Sequence, residues 1–133
     1  MAYMCIMASV PGNRVTEIRT PADISRVASK VGFASYYIVP ACPEIQEAMD
    51  GGTPLDTDTS HPLRGFMLHQ PAAVQQFAAR LTAVASDPTH PIHSDDFVRT
   101  ELSKVVDVFR HASAAGESIV TSLDLTRTGK KTT

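Results

Sequence analysis

Residues 118–125 read SIVTSLDL and residues 3–10 read YMCIMASV, and both segments have the pattern of a β-strand. In the first, Ile119, Leu123 and Leu125 occupy alternate positions, which predicts a strand with one face in the core. The second is apolar almost throughout and ends at a Pro-Gly-Asn turn, which predicts a central strand. We therefore expect the first and last strands of the chain to lie side by side.

Helical spacing of apolar residues fills much of the chain between these strands. The predicted helices are 21–31, 43–50, one from Pro71 to the Asp87-Pro88 stop, and the longest one, capped by Ser94 and closed by Gly116. Residues 33–39 and 63–69 are further candidate strands, and whether 33–39 joins the sheet is left open. The predicted fold is α+β: a small sheet with first and last strands adjacent, covered on one face by three to four helices.

The size and composition fit one folded domain. With 133 residues, 43% of them hydrophobic, we expect a single domain over 1–125 and a disordered tail over 126–133, which has nothing to bury. No apolar run approaches the roughly 18 residues that cross a bilayer, and the N-terminus lacks the basic region of a signal peptide. The expected location is cytoplasmic, which favours two reduced, buried thiols at Cys5 and Cys42 over a disulfide.

Acidic residues are concentrated in one span of the sequence. The net charge is −2, but three basic residues fall in the last seven positions, which leaves nine basic against fourteen acidic residues elsewhere. No lysine or arginine lies between residues 30 and 64. The carboxylates of that span are Glu44, Glu47, Asp50, Asp56 and Asp58. Such a span would repel nucleic acid and attract a basic partner; an acidic helix face followed by a polar loop is the alternative.

No complete catalytic signature is present. The chain contains no G-x-S-x-G nucleophile elbow and no glycine-rich phosphate or dinucleotide loop, so no cofactor is expected. His90 and His93, followed by Asp95 and Asp96, are candidate zinc ligands, because imidazole and carboxylate suit that ion. Pro91 excludes the helical spacing that usually fixes such ligands, so a polar loop before a capped helix is the alternative.

Two other segments resemble functional sites less closely. Cys42 precedes a predicted helix, whose N-terminus can lower a thiol pKa, but no histidine lies near it in sequence. Residues 56–61, DTDTSH, are rich in oxygen ligands, yet they lack the glycine and the distal glutamate of an EF-hand. An inert thiol and an ordinary polar turn are the favoured interpretations.

The two ends of the chain resemble a known family. Residues 4–10 (MCIMASV), 105–112 (VVDVFRHA) and 116–120 (GESIV) are similar to the ends of the YfbM-like family, bacterial domains of unknown function. The middle is only loosely similar, and the tryptophan-containing helix common in that family is missing. The resemblance implies an α+β fold with adjacent first and last strands, and it supplies no catalytic residues.

Our leading functional hypothesis is a non-enzymatic bacterial protein that binds another protein. Its most specific form is an immunity or inhibitor protein that neutralises a basic toxin or enzyme. The predicted partner-binding residues are Glu44, Glu47, Met49, Asp50, Asp56 and Asp58. The alternatives are a small metal-dependent hydrolase using His90, His93, Asp95 and Asp96, and a homo-oligomer that pairs through a sheet edge.

Overall fold

The computed structural model describes residues 4–18, 21–35, 42–50, 52–54 and 67–124. The strands are β1 (Met4–Val10), β2 (Lys30–Ser35), β3 (Thr53–Pro54), β4 (Met67–His69) and β5 (Ser118–Asp124). The helices are α1 (Pro21–Val27), α2 (Pro43–Asp50), α3 (Pro71–Ser86) and α4 (Asp96–Ala115), with short 3-10 turns at Gly12–Glu17 and Pro91–Ser94.

The strands form one antiparallel sheet in the order β2-β1-β5-β4-β3. Met7 at the centre of β1 lies opposite Gly32 of β2 on one side and Thr121 of β5 on the other. The predicted adjacency of the first and last strands and the α+β class are therefore confirmed. The open question about residues 33–39 is settled for their described part, because residues 33–35 belong to β2, next to β1.

Both faces of the sheet are covered, so the prediction of helices on a single face is wrong. Cys5, Met7 and Ile119 pack into the large core formed with α2, α3 and α4. Ala8, Val10 and Val120 point the other way and pack against the first 3-10 turn and α1, whose core residues are Val15, Ile18, Ile24 and Val27. The cause is the nearly continuous apolarity of β1, interrupted only by Ser9, which supplies buried side chains to both faces.

Two predicted helix boundaries are corrected. The first helix ends at Val27 rather than at residue 31, because β2 already begins at Lys30 and pairs with β1 from there. The cap of α4 is Asp95 rather than Ser94: its Oδ1 accepts hydrogen bonds from the amides of Phe97 (2.9 Å) and Val98 (3.2 Å). The predicted helix 43–50 and the stop at Gly116 agree with the structure.

Several predictions fall outside the described residues: the tail 126–133, residues 36–39 of the candidate second strand, and residues 63–66. Both cysteines are buried and neither is in a disulfide, as the sequence favoured. In the part of the chain that is described, no helix combines the length and apolarity required to cross a membrane.

Candidate functional site

Helix α2 holds the described part of the acidic span. Pro43 occupies its first position, and the carbonyl of Cys42 accepts hydrogen bonds from the amides of Ile45 (3.0 Å) and Gln46 (3.3 Å). Ile45, Ala48 and Met49 are buried against the core. The carboxylates of Glu44 and Glu47 are therefore held on the outer side of a well-anchored helix.

The structure places the six predicted partner-binding residues in different environments. Glu44 is half-buried and Glu47 is exposed. Met49 is only 7% exposed and packs in the core, so it offers no apolar surface to a partner. The side chain of Asp50 and the whole of Asp56 and Asp58 lie outside the described part of the chain.

Glu47 has a cationic neighbour within the chain. Its carboxylate lies 2.6 Å from the guanidinium of Arg80 on α3, and both side chains are about half exposed. Arg80 also lies over the ring of Phe77, 5.5 Å from the ring centroid. The pair is exposed to solvent, so it contributes little to stability and Glu47 stays accessible.

Glu44 belongs to a compact cluster with Cys42 and His90. The Cys42 thiol donates to Glu44 Oε1 at 3.3 Å, and His90 Nε2 lies 3.7 Å from the same oxygen. One ligand atom from each of the three residues lies within 4.8 Å of the others. Cys42 is buried, whereas the side chains of Glu44 and His90 are 27% and 17% exposed. The cluster therefore lies at the protein surface with the thiol on its inner side.

The charges in this cluster follow from its partial burial. Burial acts to raise the pKa of Glu44, but hydrogen bonds from its backbone amide and from Cys42, with the nearby His90 and Arg80, lower the pKa overall. Burial, assisted by the adjacent carboxylate, raises the pKa of the Cys42 thiol to about 11 despite two backbone amides that act to lower it. At neutral pH the carboxylate is ionised and the thiol is protonated, which disfavours Cys42 as a nucleophile.

The four residues predicted as metal ligands are not brought together. Asp95 caps α4, and Asp96 pairs with Arg99 in the first turn of that helix. His93 Nε2 lies 3.3 Å from the carbonyl oxygen of Val84. His90 alone joins a cluster of possible ligands, and its neighbours come from α2 rather than from residues 93–96.

A second polar cluster joins the end of α4 to the sheet. Glu117 Oε1 accepts the hydroxyls of Ser9 and Ser29, each at 2.6 Å, and His111 Nε2 lies 2.9 Å from Ser29 Oγ. Burial acts to raise the pKa of Glu117, but the two hydroxyls and the neighbouring His111 lower it overall.

The hydrogen bonds of this second cluster do not match those of a hydrolytic triad. In such a triad the histidine accepts the serine proton, and the acid orients the far nitrogen of the ring. Here Ser29 donates its proton to Glu117 and accepts from the ring of His111. The arrangement stabilises the junction of β1, β2 and α4 instead of activating a nucleophile.

No family model matches this chain, and no curated protein or solved structure matches it either. The similarity of its ends to the YfbM-like family therefore stays a prediction.

One titratable residue is buried beneath α2. His69 of β4 is 1% exposed, and its Nε2–H donates to the carbonyl of Ala48 at 2.6 Å. Its Nδ1 has no hydrogen-bond partner among the described residues. Burial lowers the pKa of His69, an effect that the bond to Ala48 only partly opposes. The folded protein therefore holds this ring neutral at neutral pH.

We expect the fold to lose stability as the pH falls below the ordinary histidine pKa of about 6.5. The unfolded chain has the higher His69 pKa, so it takes up the proton first and is favoured as the solution becomes acidic. One proton limits the slope to about 1.4 kcal/mol per pH unit. Urea unfolding between pH 8 and 5.5 should show stability that falls below about pH 6.5 in the wild type, at no more than this slope, and a smaller fall in His69→Gln. Equal slopes would show that His69 does not cause the pH dependence.

Proposed function

We propose that this protein acts by binding another protein, and that it is a non-enzymatic bacterial immunity or inhibitor protein that neutralises a basic toxin or enzyme in the cytoplasm. The observation that carries the proposal is the outward presentation of Glu44 and Glu47 by α2, whose opposite side is anchored in the core. Carboxylates on a rigid element lose little conformational freedom when a partner docks.

Charge supports this surface as a recognition site. The pKa of Glu44 is lowered, so its carboxylate stays ionised throughout the neutral range. The sequence places no lysine or arginine between residues 30 and 64, so the counter-charges near α2 come from elsewhere. Among the described residues, Arg80 on α3 is the cation that contacts Glu47. A cationic partner would compete with Arg80 for a solvent-exposed pair, which is weak by itself.

An acidic surface of this kind speeds association with a basic partner. Long-range attraction raises the rate of encounter, and salt screens it over a Debye length of about 8 Å at physiological ionic strength. Binding through α2 should therefore weaken as salt is added. Toxins and enzymes with basic active sites are suitable partners, because carboxylates can occupy the positions of an anionic substrate.

The test is affinity capture from a bacterial lysate at low and physiological salt, with two charge-reversed variants compared in parallel. In Glu44→Lys/Glu47→Lys the acidic face of α2 is reversed. In Asp96→Lys/Asp107→Lys the same charge change is made at exposed positions of α4. We expect one stoichiometric protein partner, retained by the control and bound at least about tenfold more weakly by the α2 variant, the equivalent of one close charge pair.

Three outcomes would contradict the proposal. Capture of no stoichiometric partner would remove protein binding as the function. Equal capture by both variants would show that α2 is not the binding surface. A stable homo-oligomer in light scattering, with no other partner captured, would favour self-association through the sheet edge.

A further inference from the structure

Three different metal-ligating groups meet where α2 begins. Cys42 and Glu44 lie two residues apart at the start of the helix, and His90 reaches them from the turn before α4. Glu44 Oε1 is the centre of the group, 3.3 Å from Cys42 Sγ and 3.7 Å from His90 Nε2. A thiol, a carboxylate and an imidazole thus each place one ligand atom within 4.8 Å of the other two.

These separations are close to those of tetrahedral coordination. Zinc binds sulfur at about 2.3 Å, and nitrogen and oxygen at about 2.0–2.2 Å, so on a tetrahedral ion sulfur lies roughly 3.5–3.7 Å from oxygen, and nitrogen roughly 3.3–3.5 Å from oxygen. The sulfur–oxygen distance of 3.3 Å and the nitrogen–oxygen distance of 3.7 Å each differ from these by about 0.2 Å. The ligand atoms of Cys42 and His90 lie within 4.8 Å of each other, so small side-chain movements would complete the site. We propose that Cys42, Glu44 and His90 form a binding site for a divalent transition metal ion, with zinc as the best fit to this mixture of sulfur, oxygen and nitrogen ligands.

Metal binding requires two proton movements at these residues. The Cys42 thiol releases its proton to solvent when its sulfur bonds to the metal. His90 Nδ1 accepts the amide of Ile92 at 3.3 Å, so the neutral ring carries its proton on Nε2. To bind the metal through Nε2, the ring must carry the proton on Nδ1 instead, which breaks the long bond to Ile92. The site therefore exchanges two long hydrogen bonds, from Cys42 to Glu44 and from Ile92 to His90, for three metal–ligand bonds.

Three protein ligands leave a fourth tetrahedral position. Glu44 and His90 are both partly exposed, so this position lies toward solvent and can take water. Sites that keep an open position differ from closed structural sites, in which four protein ligands surround the ion. The ion would therefore stay accessible to a ligand from outside.

Cobalt is the probe for the first experiment, because Co²⁺ occupies zinc sites and its spectrum reports the ligands. Chelator-treated full-length protein is titrated with Co²⁺, and the spectrum is followed in the near-ultraviolet and the visible. We expect a thiolate-to-cobalt charge-transfer band and intense tetrahedral ligand-field bands at one equivalent of metal. Adding Zn²⁺ should abolish both as the tighter ion replaces cobalt.

Conservative variants identify the ligands without removing the fold. Cys42→Ser keeps a donor to Glu44, Glu44→Gln keeps the size of the side chain, and His90→Asn keeps an acceptor for the Ile92 amide. Each should weaken Zn²⁺ binding at least about 100-fold, because loss of an outer-shell partner alone costs 10- to 100-fold. The matched controls are Cys5→Ala and His93→Gln, which alter the other buried thiol and the neighbouring histidine, and they should bind as the wild type does.

The amide of Ile92 gives a readout that nonspecific binding would not produce. In ¹H–¹⁵N spectra its signal should shift on addition of Zn²⁺ to the wild type and stay unchanged in Cys42→Ser. Any of three results would overturn the metal site. The charge-transfer band could be absent from the Co²⁺ titration, it could persist in Cys42→Ser, or the variants and controls could bind Zn²⁺ equally well. Cys42→Ser leaves the charge of α2 intact, so these results are independent of the acidic-surface proposal.

Discussion

Replacing Phe109 by alanine is expected to lower the free energy of unfolding by about 3–5 kcal/mol, the usual cost of removing a fully buried aromatic ring. Phe109 of α4 is completely buried. Its ring lies 6.2 Å from that of Phe77 on α3 and 6.4 Å from that of His69 on β4, between centroids. The substitution would thus leave a cavity where two helices meet the sheet.

The measurement is urea unfolding followed by circular dichroism, with Phe97→Ala as the matched control. Phe97 lies in the first turn of the same helix and is 49% exposed, so its truncation removes much less buried surface. We expect the control to lose less than half as much stability as Phe109→Ala. Similar losses in the two variants would show that the junction of α3, α4 and β4 is not the main core.

The sequence predicts most of this core, because the elements around it have strong periodicity. Helix 43–50 and the stop at Gly116 follow from apolar spacing and turn residues, and the adjacency of β1 and β5 follows from their patterns. These signals are local, so one sequence without an alignment is enough to detect them. They also predict the α+β class.

The second face of the sheet was missed for a different reason. An almost continuously apolar strand such as β1 has no clear period, so it indicates burial without indicating what covers each side. Helix α1 is short, and periodicity does not determine that it packs on Val10 and Val120. The cap at Asp95 was missed because Ser94, directly before it, is an equally good capping residue by type.

The candidate sites also depend on tertiary packing that a sequence pattern does not determine. Met49 is predicted as a partner-binding residue because it stands beside acidic residues in the sequence, but its four-residue spacing from Ile45 places it on the inner side of α2, and the structure buries it in the core. The sequence favours an inert thiol at Cys42 because no histidine is near it in the chain, yet His90 reaches it in space. No spacing rule connects these two residues, since the contact depends on how α2 and the turn before α4 pack together.

Replacing Gly52 by alanine should destabilise the fold by about 2–5 kcal/mol, from a strained backbone and a steric clash together. Gly52 has a φ of 87°, in the left-handed region that glycine adopts easily. A Cβ there would lie 2.5 Å from the backbone oxygen of Leu68 and 3.1 Å from Nδ1 of His69. The backbone oxygen belongs to β4 and cannot rotate away, so the short β3–β4 pairing has to shift.

Gly116→Ala separates the two causes. Gly116 has a φ of 68°, but a Cβ there meets nothing within 4 Å, so its substitution carries only the backbone cost of about 1–2 kcal/mol. Urea unfolding of the two variants therefore measures the clash as the difference between them. If both lose the same amount, the close approach of Gly52 to Leu68 has no energetic consequence.

The steric clash in Gly52→Ala should also affect the contact between β4 and α2. Gly52 abuts His69, and His69 donates to Ala48 on the helix that carries Glu44 and Glu47. If β4 shifts in Gly52→Ala, the bond to Ala48 lengthens and water reaches the His69 ring. Its pKa then rises toward the ordinary value, and the acid-side slope of stability between pH 8 and 5.5 becomes flatter. Gly116→Ala, which lies away from His69, should keep the wild-type slope, and a change there instead would show that the pH dependence has another source.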